Sequence, residues 1–190
     1  MKPVKKTFFK QPTVSLAKSL LGKYLVFGKL KGIIVETEAY LGIDDPGCHA
    51  SRGKTARNAP MFGPAGNTYV YLIYGMYHCF NIVSGNPGIG EAVLIRALEP
   101  VEGISIMQKR RKTQKIENLC NGPGKFTQAF SITKKHNNLN LFDGPLYIYD
   151  SKLKPEISTS TRIGLSAGKE LELRFFIKQN SFVSGYKNEV

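Results

Sequence analysis

Cysteine is scarce in this sequence, and long apolar stretches are absent from it. The three cysteines, Cys48, Cys79 and Cys120, lie far apart and form no Cys-x-x-Cys pair. They predict neither a zinc site nor a disulfide framework, which is typical of a protein in a reducing cytoplasm. No run of about 18 apolar residues occurs, so no transmembrane helix is expected. Residues 1–6 are basic, but no apolar signal-peptide core follows them, and we expect neither secretion nor a membrane partner.

Acidic residues are few compared with basic ones. Lysine and arginine together number 27 against 14 aspartates and glutamates, which gives a formal net charge of +13. Such an excess favours a polyanionic partner, bound with an affinity that falls as salt rises. A lysine-rich protein can also be basic without binding anything, so the charge alone leaves both a nucleic-acid ligand and no ligand open.

The length and composition indicate one compact domain. The chain has 190 residues, 42% of them hydrophobic and 22% charged, with no internal repeat or linker. We predict a single domain over residues 1–190 of class α+β, in which helices and a protruding β-hairpin flank a mostly antiparallel, curved β-sheet. The predicted strands are 24–27, 32–39, 68–74, 77–84, 91–98, 146–149 and 172–177, and the predicted helices are 13–21, 100–111 and 126–132.

Turn and cap signals predict how these elements begin and end. Thr13 is expected to cap the first helix with its hydroxyl, and Pro100 to begin the second helix. Residues 28–31 are expected to join the first two strands, and residues 75–76 to form a two-residue hairpin turn. Residues 41–67 form a polar loop, and a loop of this length in a compact domain is usually functional or disordered.

Two carboxylates stand at the end of an apolar strand, in the sequence GIIVETEAY at residues 32–40. Side chains alternate along a strand, so Glu36 and Glu38 are expected to share a face. Two acids this close, if partly buried, disfavour each other's ionisation, which suits a general base. The alternative is an exposed strand edge on which both acids pair with lysine or arginine.

Aromatic residues concentrate in the predicted hairpin. Tyr74 stands beside its turn, where it is poorly placed to join a core and well placed to wedge into a base stack. Tyr69 is explained by the preference of tyrosine for strands. Asn81 lies among apolar residues of the return strand, and a buried amide needs partners. It is therefore either a structural hydrogen-bonding residue or a residue that contacts the edge of a base.

One arginine and one histidine have unusual surroundings. Arg96 interrupts an apolar strand, and a buried arginine needs an anion, for which Glu38, another acid or a DNA phosphate is available. His49 lies in the long loop, where a lone histidine is more often a surface residue than a catalytic one. Arg52 and Arg57 follow it among apolar residues, which is a weak pattern for a DNA-binding surface.

Two other patterns predict no site. The sequence GPGK at residues 122–125 lacks the spacing of a phosphate-binding P-loop. Asp44 and Asp45 have no second group of ligands at metal-binding spacing. We therefore predict that the protein uses neither a metal nor a cofactor.

Five segments, spread over nearly the whole chain, resemble segments of a known family and occur in the same order. They are LAKSLLG at 16–22, IVETEAYLG at 34–42, YVYLIYGMY at 69–77, VLIRALEP at 93–100 and NGPGK at 121–125. A weaker sixth segment consists of RIGL at 162–165 with LRF at 173–175. In these segments the chain resembles the alkyladenine DNA glycosylases, which are also called methylpurine or 3-methyladenine DNA glycosylases.

The resemblance implies a role for individual residues. Glu38 matches the family's general base, which activates water, and Arg96 matches the arginine that helps to hold this water. Tyr74 matches the residue that fills the gap left by a flipped base, and Met61 matches a second wedge. In the base pocket, Tyr40, His49 and Tyr71 match the residues that sandwich the base. The amide of Gly47 is expected to face the base, and Asn81 is expected to clash with the exocyclic amine of guanine.

The function that the resemblance implies is excision of damaged purines from double-stranded DNA. We expect a monofunctional glycosylase of base excision repair that flips 3-methyladenine, 7-methylguanine, hypoxanthine or ethenoadenine out of the helix and hydrolyses the bond to deoxyribose. We expect contacts with the DNA backbone at Arg52, Arg57 and Lys125, and a cytoplasmic, nucleoid-associated monomer. The open alternative is a non-catalytic DNA-damage-binding module. A lyase with a lysine Schiff base and a metal-dependent nuclease fit the residues less well.

Overall fold

The long second strand organises the fold. In the computed structural model, which describes residues 2–185, β2 runs over Leu30–Tyr40. Along one of its sides it pairs with β5, Glu91–Glu102. On its other side the first part pairs with β1, Tyr24–Phe27, and the last part with β8, Arg174–Ile177. All of these pairings are antiparallel, so β2 is hydrogen-bonded on both sides.

The remaining strands complete a curved, eight-stranded sheet. β3, Thr68–Ile73, and β4, Tyr77–Ser84, form a hairpin whose second strand pairs with β5. β6, Leu146–Tyr149, pairs with β1, and β7, Ile157–Ser160, pairs with β8. The predicted α+β class, with a curved antiparallel sheet in one compact unit, is confirmed. Met1 and residues 186–190 of the predicted domain lie outside the described residues.

Three α-helices of the described chain cover the sheet. α1, Thr13–Leu20, packs on β2 and β5, and α3, Pro123–Phe130, packs on β4 and β5. α2, Ile104–Arg111, packs on α3. The side chains of Leu16, Leu20, Phe126 and Phe130 are buried in one core with those of Ile34, Ile82 and Ile95. No helix within residues 2–185 is both long enough and apolar enough to cross a membrane.

Two predicted helix starts are wrong. Thr13 is already helical and caps nothing; its hydroxyl instead donates to Oε2 of Glu91 at 2.6 Å. Pro100 lies inside β5, in a part of the strand that pairs with β2 but not with β4. A proline is tolerated where a strand has only one neighbour, because its missing N–H can then lie on the unpaired side. The second helix begins only at Ile104, after Gly103 with a φ of 77°.

The loops also differ from the predictions. The turn between β1 and β2 consists of residues 28–29 alone, because Phe27 pairs with Leu30. The β3–β4 turn has three residues, 74–76, because Ile73 pairs with Tyr77. β7 was not predicted, since its sequence ISTS is short and half exposed. The loop 41–67 contains two 3-10 turns, at 42–44 and 59–62, and packs against the sheet.

Gly28 and Gly103 offer a test of how tightly the fold constrains its turns. Both have positive φ, which costs a residue with a Cβ about 1–2 kcal/mol. A Cβ at Gly28 meets nothing within 4 Å, whereas at Gly103 it meets the carbonyl oxygen of Lys29 at 2.8 Å. Gly103→Ala should therefore lose a further ~1–3 kcal/mol of unfolding free energy compared with Gly28→Ala, as measured by urea denaturation. Equal losses would contradict the close approach at Gly103.

Candidate active site

A cavity of about 320 Å³ opens between the β3–β4 hairpin and two segments without strands or α-helices, 41–67 and 161–168. Its volume is at the lower end of the roughly 300–1,000 Å³ that ligand pockets occupy. The hairpin, the ends of β2 and β5 and both segments supply its walls. They include Tyr40, Gly47, His49, Tyr71, Tyr74, Asn81, Arg96 and Ile163. The structure thus brings together all the residues expected in the base pocket.

Three aromatic rings form one wall of this cavity. The ring centre of Tyr71 is 5.1 Å from that of Tyr69 and 4.6 Å from that of His49. Nδ1 of His49 and the hydroxyl oxygen of Tyr69 are 3.0 Å apart. The exposed Arg57 extends this wall, with its guanidinium 5.5 Å from the centre of the Tyr71 ring. Such a π-rich surface suits the stacking of a flat, aromatic ligand.

Glu38 lies behind the cavity and is completely buried. Its Oε1 accepts a hydrogen bond from the backbone N–H of Ile163 at 2.9 Å and is 3.2 Å from Nη1 of Arg96. Its Oε2 accepts a hydrogen bond from the hydroxyl of Tyr40 at 2.9 Å. All three partners line the cavity. A carboxylate has about four acceptor positions, so these contacts leave one position of Oε2 for a further donor.

An irregularity between β2 and β5 directs Arg96 at both glutamates. Glu36 pairs with Ala97 and Thr37 pairs with Ile95, so Arg96 is an extra residue in β5 without a direct partner. Bulges of this kind re-aim a side chain and are common beside active sites. The Nε and Nη1 atoms of Arg96 are each 3.2 Å from a carboxylate oxygen, one of Glu36 and one of Glu38. The glutamates therefore share one guanidinium, as expected for residues on one face.

Glu36 is the second buried carboxylate, and four donors surround it. Its Oε1 accepts from Nε of Arg96, from Nη1 of Arg174 at 3.0 Å and from the hydroxyl of Ser184 at 2.9 Å. Its Oε2 accepts from the backbone N–H of Ser184 at 2.8 Å. The alternative of an exposed strand edge is wrong, since both glutamates have 0% exposure, although both do pair with arginine. No local pattern in the sequence had indicated Arg174 and Ser184 as partners of Glu36.

Asn81 has a structural role and also faces the cavity. Its side-chain N–H donates to the carbonyl oxygen of Tyr69 at 2.9 Å, which fixes the orientation of the amide. Cys79 lies two residues before it on the same strand face, and burial raises the pKa of its thiol. This side of the cavity therefore consists of neutral groups.

The titratable groups of the aromatic wall are also held neutral. Burial lowers the pKa of His49, and the positive charge of Arg57 lowers it further. Burial raises the pKa of Tyr69 to about 12, and it raises the pKa of Tyr40 and of Tyr71 even further. Since the unperturbed pKa of histidine is about 6.5, the imidazole is mostly unprotonated near pH 7.

The hairpin tip projects into solvent at the rim of the cavity. Tyr74 is 77% exposed, and its φ of 52° together with the 70° of Gly75 produces the tight turn. Met61, which the resemblance matched to a second wedge, is only 3% exposed and packs against the aromatic wall. A wedge has to protrude from the surface, so Met61 is here part of the cavity wall. Met76 is instead exposed next to Tyr74.

The three predicted DNA-backbone contacts lie in different surroundings. Arg52 is exposed beside a shallow groove, lined by parts of 46–52 and 164–167, that shares His49 with the cavity. Arg57 covers the outer edge of the aromatic wall. Lys125 lies in the first turn of α3, where it donates to Oδ1 of Asn121 at 2.9 Å. Burial and the nearby Arg111 lower the pKa of Lys125.

Gly47 lines the cavity, but its amide is already hydrogen-bonded. The N–H donates to Oδ1 of Asp45 at 3.0 Å, so in this structure the carboxylate occupies it, and its contact with a flipped purine stays a prediction. Asp45 also forms a buried ion pair with Arg162, which the sequence analysis missed. The Asp-Pro-Gly sequence predicts an Asx turn, but it gives no signal for an arginine over 100 residues away. Within residues 2–185, no group of three or more His, Cys, Asp or Glu side chains could hold a metal ion.

One protein family and several known proteins match this sequence over almost the entire chain. The family model of Methylpurine-DNA glycosylase (MPG) matches residues 7–181. A protein of Methanoculleus marisnigri is 48% identical over 185 residues, which cover 93% of this chain and 96% of the relative. Proteins of Prosthecochloris aestuarii and Francisella tularensis subsp. tularensis are each 49% identical, over 93% and 90% of this chain and 88% and 93% of their own lengths. The name of each relative contains the words 3-methyladenine DNA glycosylase.

These matches include the strands and segments that form the cavity. The region matched by the family model contains Tyr40, Glu38 and Arg96 as well as the hairpin with Tyr74. The similarity therefore extends over the site and the fold together, and this chain belongs to the methylpurine-DNA glycosylase family.

Proposed function

We propose that the protein is a monofunctional glycosylase that flips a damaged purine out of duplex DNA, hydrolyses its bond to deoxyribose and leaves an abasic site. The observation that carries this proposal is the complete burial of Glu38 behind an aromatic cavity, next to Arg96. A carboxylate kept from bulk water beside a space for a flat ring suits removal of a proton from one attacking water molecule.

The aromatic wall supports a purine as the bound group. Breaking an N-glycosidic bond passes through an oxocarbenium-like sugar, and this is easier when the departing base is cationic. A cationic 3-methyladenine or 7-methylguanine would stack against Tyr71 and be attracted by the faces of the surrounding rings. His49 is neutral and therefore adds no charge repulsion against such a base.

Glu38 and Arg96 supply the proposed groups for the hydrolytic step. The acceptor position that remains on Oε2 of Glu38 would take the proton of the attacking water, and Arg96 would hold that water through an N–H group. The negative charge of Glu38 would also stabilise the positive charge that develops on the sugar. General-base assistance of this kind typically contributes about 10²–10⁴-fold to the rate.

The exposed hairpin tip supports extrusion of the base. Flipping costs a few kcal/mol, and less when the base is damaged or mispaired. Tyr74 would offset this cost by stacking in the gap that the base leaves. Arg52 and Arg57 near the cavity, Lys125 in the first turn of α3 and the net charge of +13 support binding to double-stranded DNA without sequence preference.

The same cavity supports selection among neutral bases. Hypoxanthine and ethenoadenine carry no exocyclic amine at the position where guanine has one. Asn81 is fixed by its hydrogen bond to Tyr69, so it would not move away from the amine of a guanine, and 7-methylguanine, which keeps this amine, would fit less well than 3-methyladenine. Neutral lesions leave less readily than cationic ones, because a neutral base has to gain a proton at a ring nitrogen as it departs, whereas a cationic base leaves as a neutral molecule. Over the whole reaction this proton is balanced by the one that Glu38 takes from the attacking water.

The lining of the cavity favours hydrolysis over a lyase reaction. A lyase of this kind needs an amine nucleophile that forms a Schiff base with the sugar. No lysine is among the described residues that line the cavity, whose only basic groups are His49 and Arg96. An arginine stays protonated and does not form a Schiff base under these conditions.

Replacing the proposed base tests the hydrolytic step. Glu38→Gln should fold, because Arg96 keeps Glu36 as its counter-ion, and should release hypoxanthine at least about 100-fold more slowly in single turnover. The assay uses duplex DNA in EDTA and is compared with Glu102→Gln, an exposed acid at the far end of β5. If the wild type releases neither hypoxanthine nor 3-methyladenine but still binds the lesions, the protein is a damage-binding module instead.

Removing the exposed ring tests base extrusion. Tyr74→Ala should leave the melting temperature nearly unchanged, because the side chain is 77% exposed. Stacking on a base is worth about 1–3 kcal/mol, so affinity for lesion-containing duplex should fall about five- to 150-fold. The affinity is measured by anisotropy, and 2-aminopurine fluorescence next to the lesion reports unstacking. Tyr74→Phe is the matched control and should keep both signals; equal binding by all three proteins would exclude a stacking role.

The protonation of His49 tests the electrostatics of the wall. A positive charge disfavours a second one nearby, so Arg57→Leu should raise the pKa of His49. Burial persists in this variant, and the pKa should still lie below the value of a free histidine. NMR titration of the imidazole measures the change, with Arg52→Leu as a control on the same loop. A fall in the His49 pKa in Arg57→Leu would contradict the assigned cause.

A further inference from the structure

Two walls of the cavity contain no strand or α-helix, although they carry residues of the proposed base pocket and a hydrogen-bond donor to Glu38. The segment 41–53 carries Gly47 and His49, and the segment 161–168 carries Ile163, whose N–H donates to Glu38. Backbone of this kind is not positioned by a ladder of strand hydrogen bonds. Side-chain interactions therefore have to fix both segments relative to Glu38.

Arg162 makes contacts with several parts of this region at once. Its Nη1 and Nη2 donate to the two carboxylate oxygens of Asp45, with the Nη2 bond at 2.6 Å. Its Nη1 also donates to the carbonyl oxygen of Ala39 at 3.0 Å, and its Nη2 to that of Gly168 at 3.3 Å. Its guanidinium lies 4.7 Å from the centre of the Tyr40 ring. One side chain thus connects β2, the 41–53 segment and the 161–168 segment.

Asp45 extends these connections to the opposite wall. Its Oδ2 accepts from the backbone N–H of Leu41 at 3.1 Å, and its Oδ1 from that of Gly47 at 3.0 Å. The space at Gly47 is so tight that an added Cβ would lie 2.9 Å from Nη2 of Arg162 and 2.8 Å from Leu165. The side chains of Asp45 and Arg162 are both fully buried.

We propose that Asp45 and Arg162 are the positioning pair that holds Ile163, Tyr40 and Gly47 in the arrangement that catalysis requires. Neither residue reaches the reacting atoms; both act through Glu38 and the base pocket. This inference rests on the proposed glycosylase function. It assigns to the chain two positioning residues that lie outside the cavity lining.

The geometry favours a positioning role over a purely stabilising one. Burying two charges is costly, and well-packed apolar residues often replace a buried ion pair without loss of stability. Within residues 2–185 the Nε of Arg162 also has no hydrogen-bond partner, which is a further cost. Apolar residues cannot donate hydrogen bonds, whereas the two Nη groups of Arg162 donate to the carbonyl oxygens of Ala39 and Gly168 and to both oxygens of Asp45.

The double variant Asp45→Leu/Arg162→Met tests this proposal. It removes the ion pair without leaving one charge buried alone. We expect a melting temperature close to that of the wild type, unchanged affinity for undamaged duplex, and single-turnover base release slowed about ten- to 100-fold, because small misplacements of catalytic groups are costly. Arg162→Lys keeps the positive charge but loses the planar guanidinium with its two Nη donor groups, and it should show an intermediate rate. Leu25→Ala, a change at a buried core residue of β1, is the control for lost stability and should release base at the normal rate below its melting temperature.

Amide hydrogen exchange supplies a second measurement that does not depend on activity. In the double variant, the N–H of Gly47 loses its acceptor Asp45 directly and should exchange faster. The N–H of Ile163 keeps its acceptor Glu38, so its faster exchange is the informative result, while the core N–H of Ile34 should stay protected as in the wild type. Unchanged base release and unchanged exchange would overturn the positioning role and leave the proposed function intact. A wild type that releases no base would refute the proposed function, and the exchange experiment would still decide whether the pair positions these amides.

Discussion

The arrangement of this protein depends on two carboxylates that are buried completely inside a β-sheet. Removing Glu36 and Glu38 from water is tolerable only if each is matched by opposite charge and by hydrogen-bond donors. Arg96 lies between them, and Arg174 adds a second positive charge, so the cluster carries no net charge when all four groups are ionised. A guanidinium suits this position because its N–H groups point in several directions within one plane.

This requirement explains why distant parts of the chain meet at one point. Glu36 and Glu38 come from β2, Arg96 from the bulge in β5, and Arg174 from β8. Ser184 then closes the cluster on the Glu36 side through its N–H and its hydroxyl. In a regular ladder, the alternation of side chains would decide which face of the sheet the Arg96 side chain points to. The bulge removes this restriction and lets the guanidinium reach both glutamates. α1 packs on β2 and β5, the strands that carry the two glutamates and Arg96.

Short-range patterns in the sequence predicted much of the fold and part of the site. β1, β4 and β6 match their predicted bounds because each is a run rich in apolar and aromatic residues between turn residues. Pro100 was misassigned because a proline is compatible with a helix start as well as with a strand that has only one neighbour. Neither the bulge at Arg96 nor the contact of Arg174 with Glu36 could be predicted, since register and tertiary contacts leave no local pattern. Met61 was matched to a wedge by resemblance, and only its burial shows that it belongs to the wall.

The site separates two kinds of electrostatics that act at different steps. The charges around Glu38 are internal and paired before any ligand arrives, so little reorganisation is needed when charge develops on a bound sugar. The charges of Arg52 and Arg57 lie at the surface, where salt at physiological strength screens interactions beyond about 8 Å. Dissolved ions therefore compete with the encounter between protein and DNA but have little access to the buried cluster. In the proposed reaction, the basic surface and Tyr74 determine how often a damaged base enters the cavity, and the buried carboxylates determine what happens to it there.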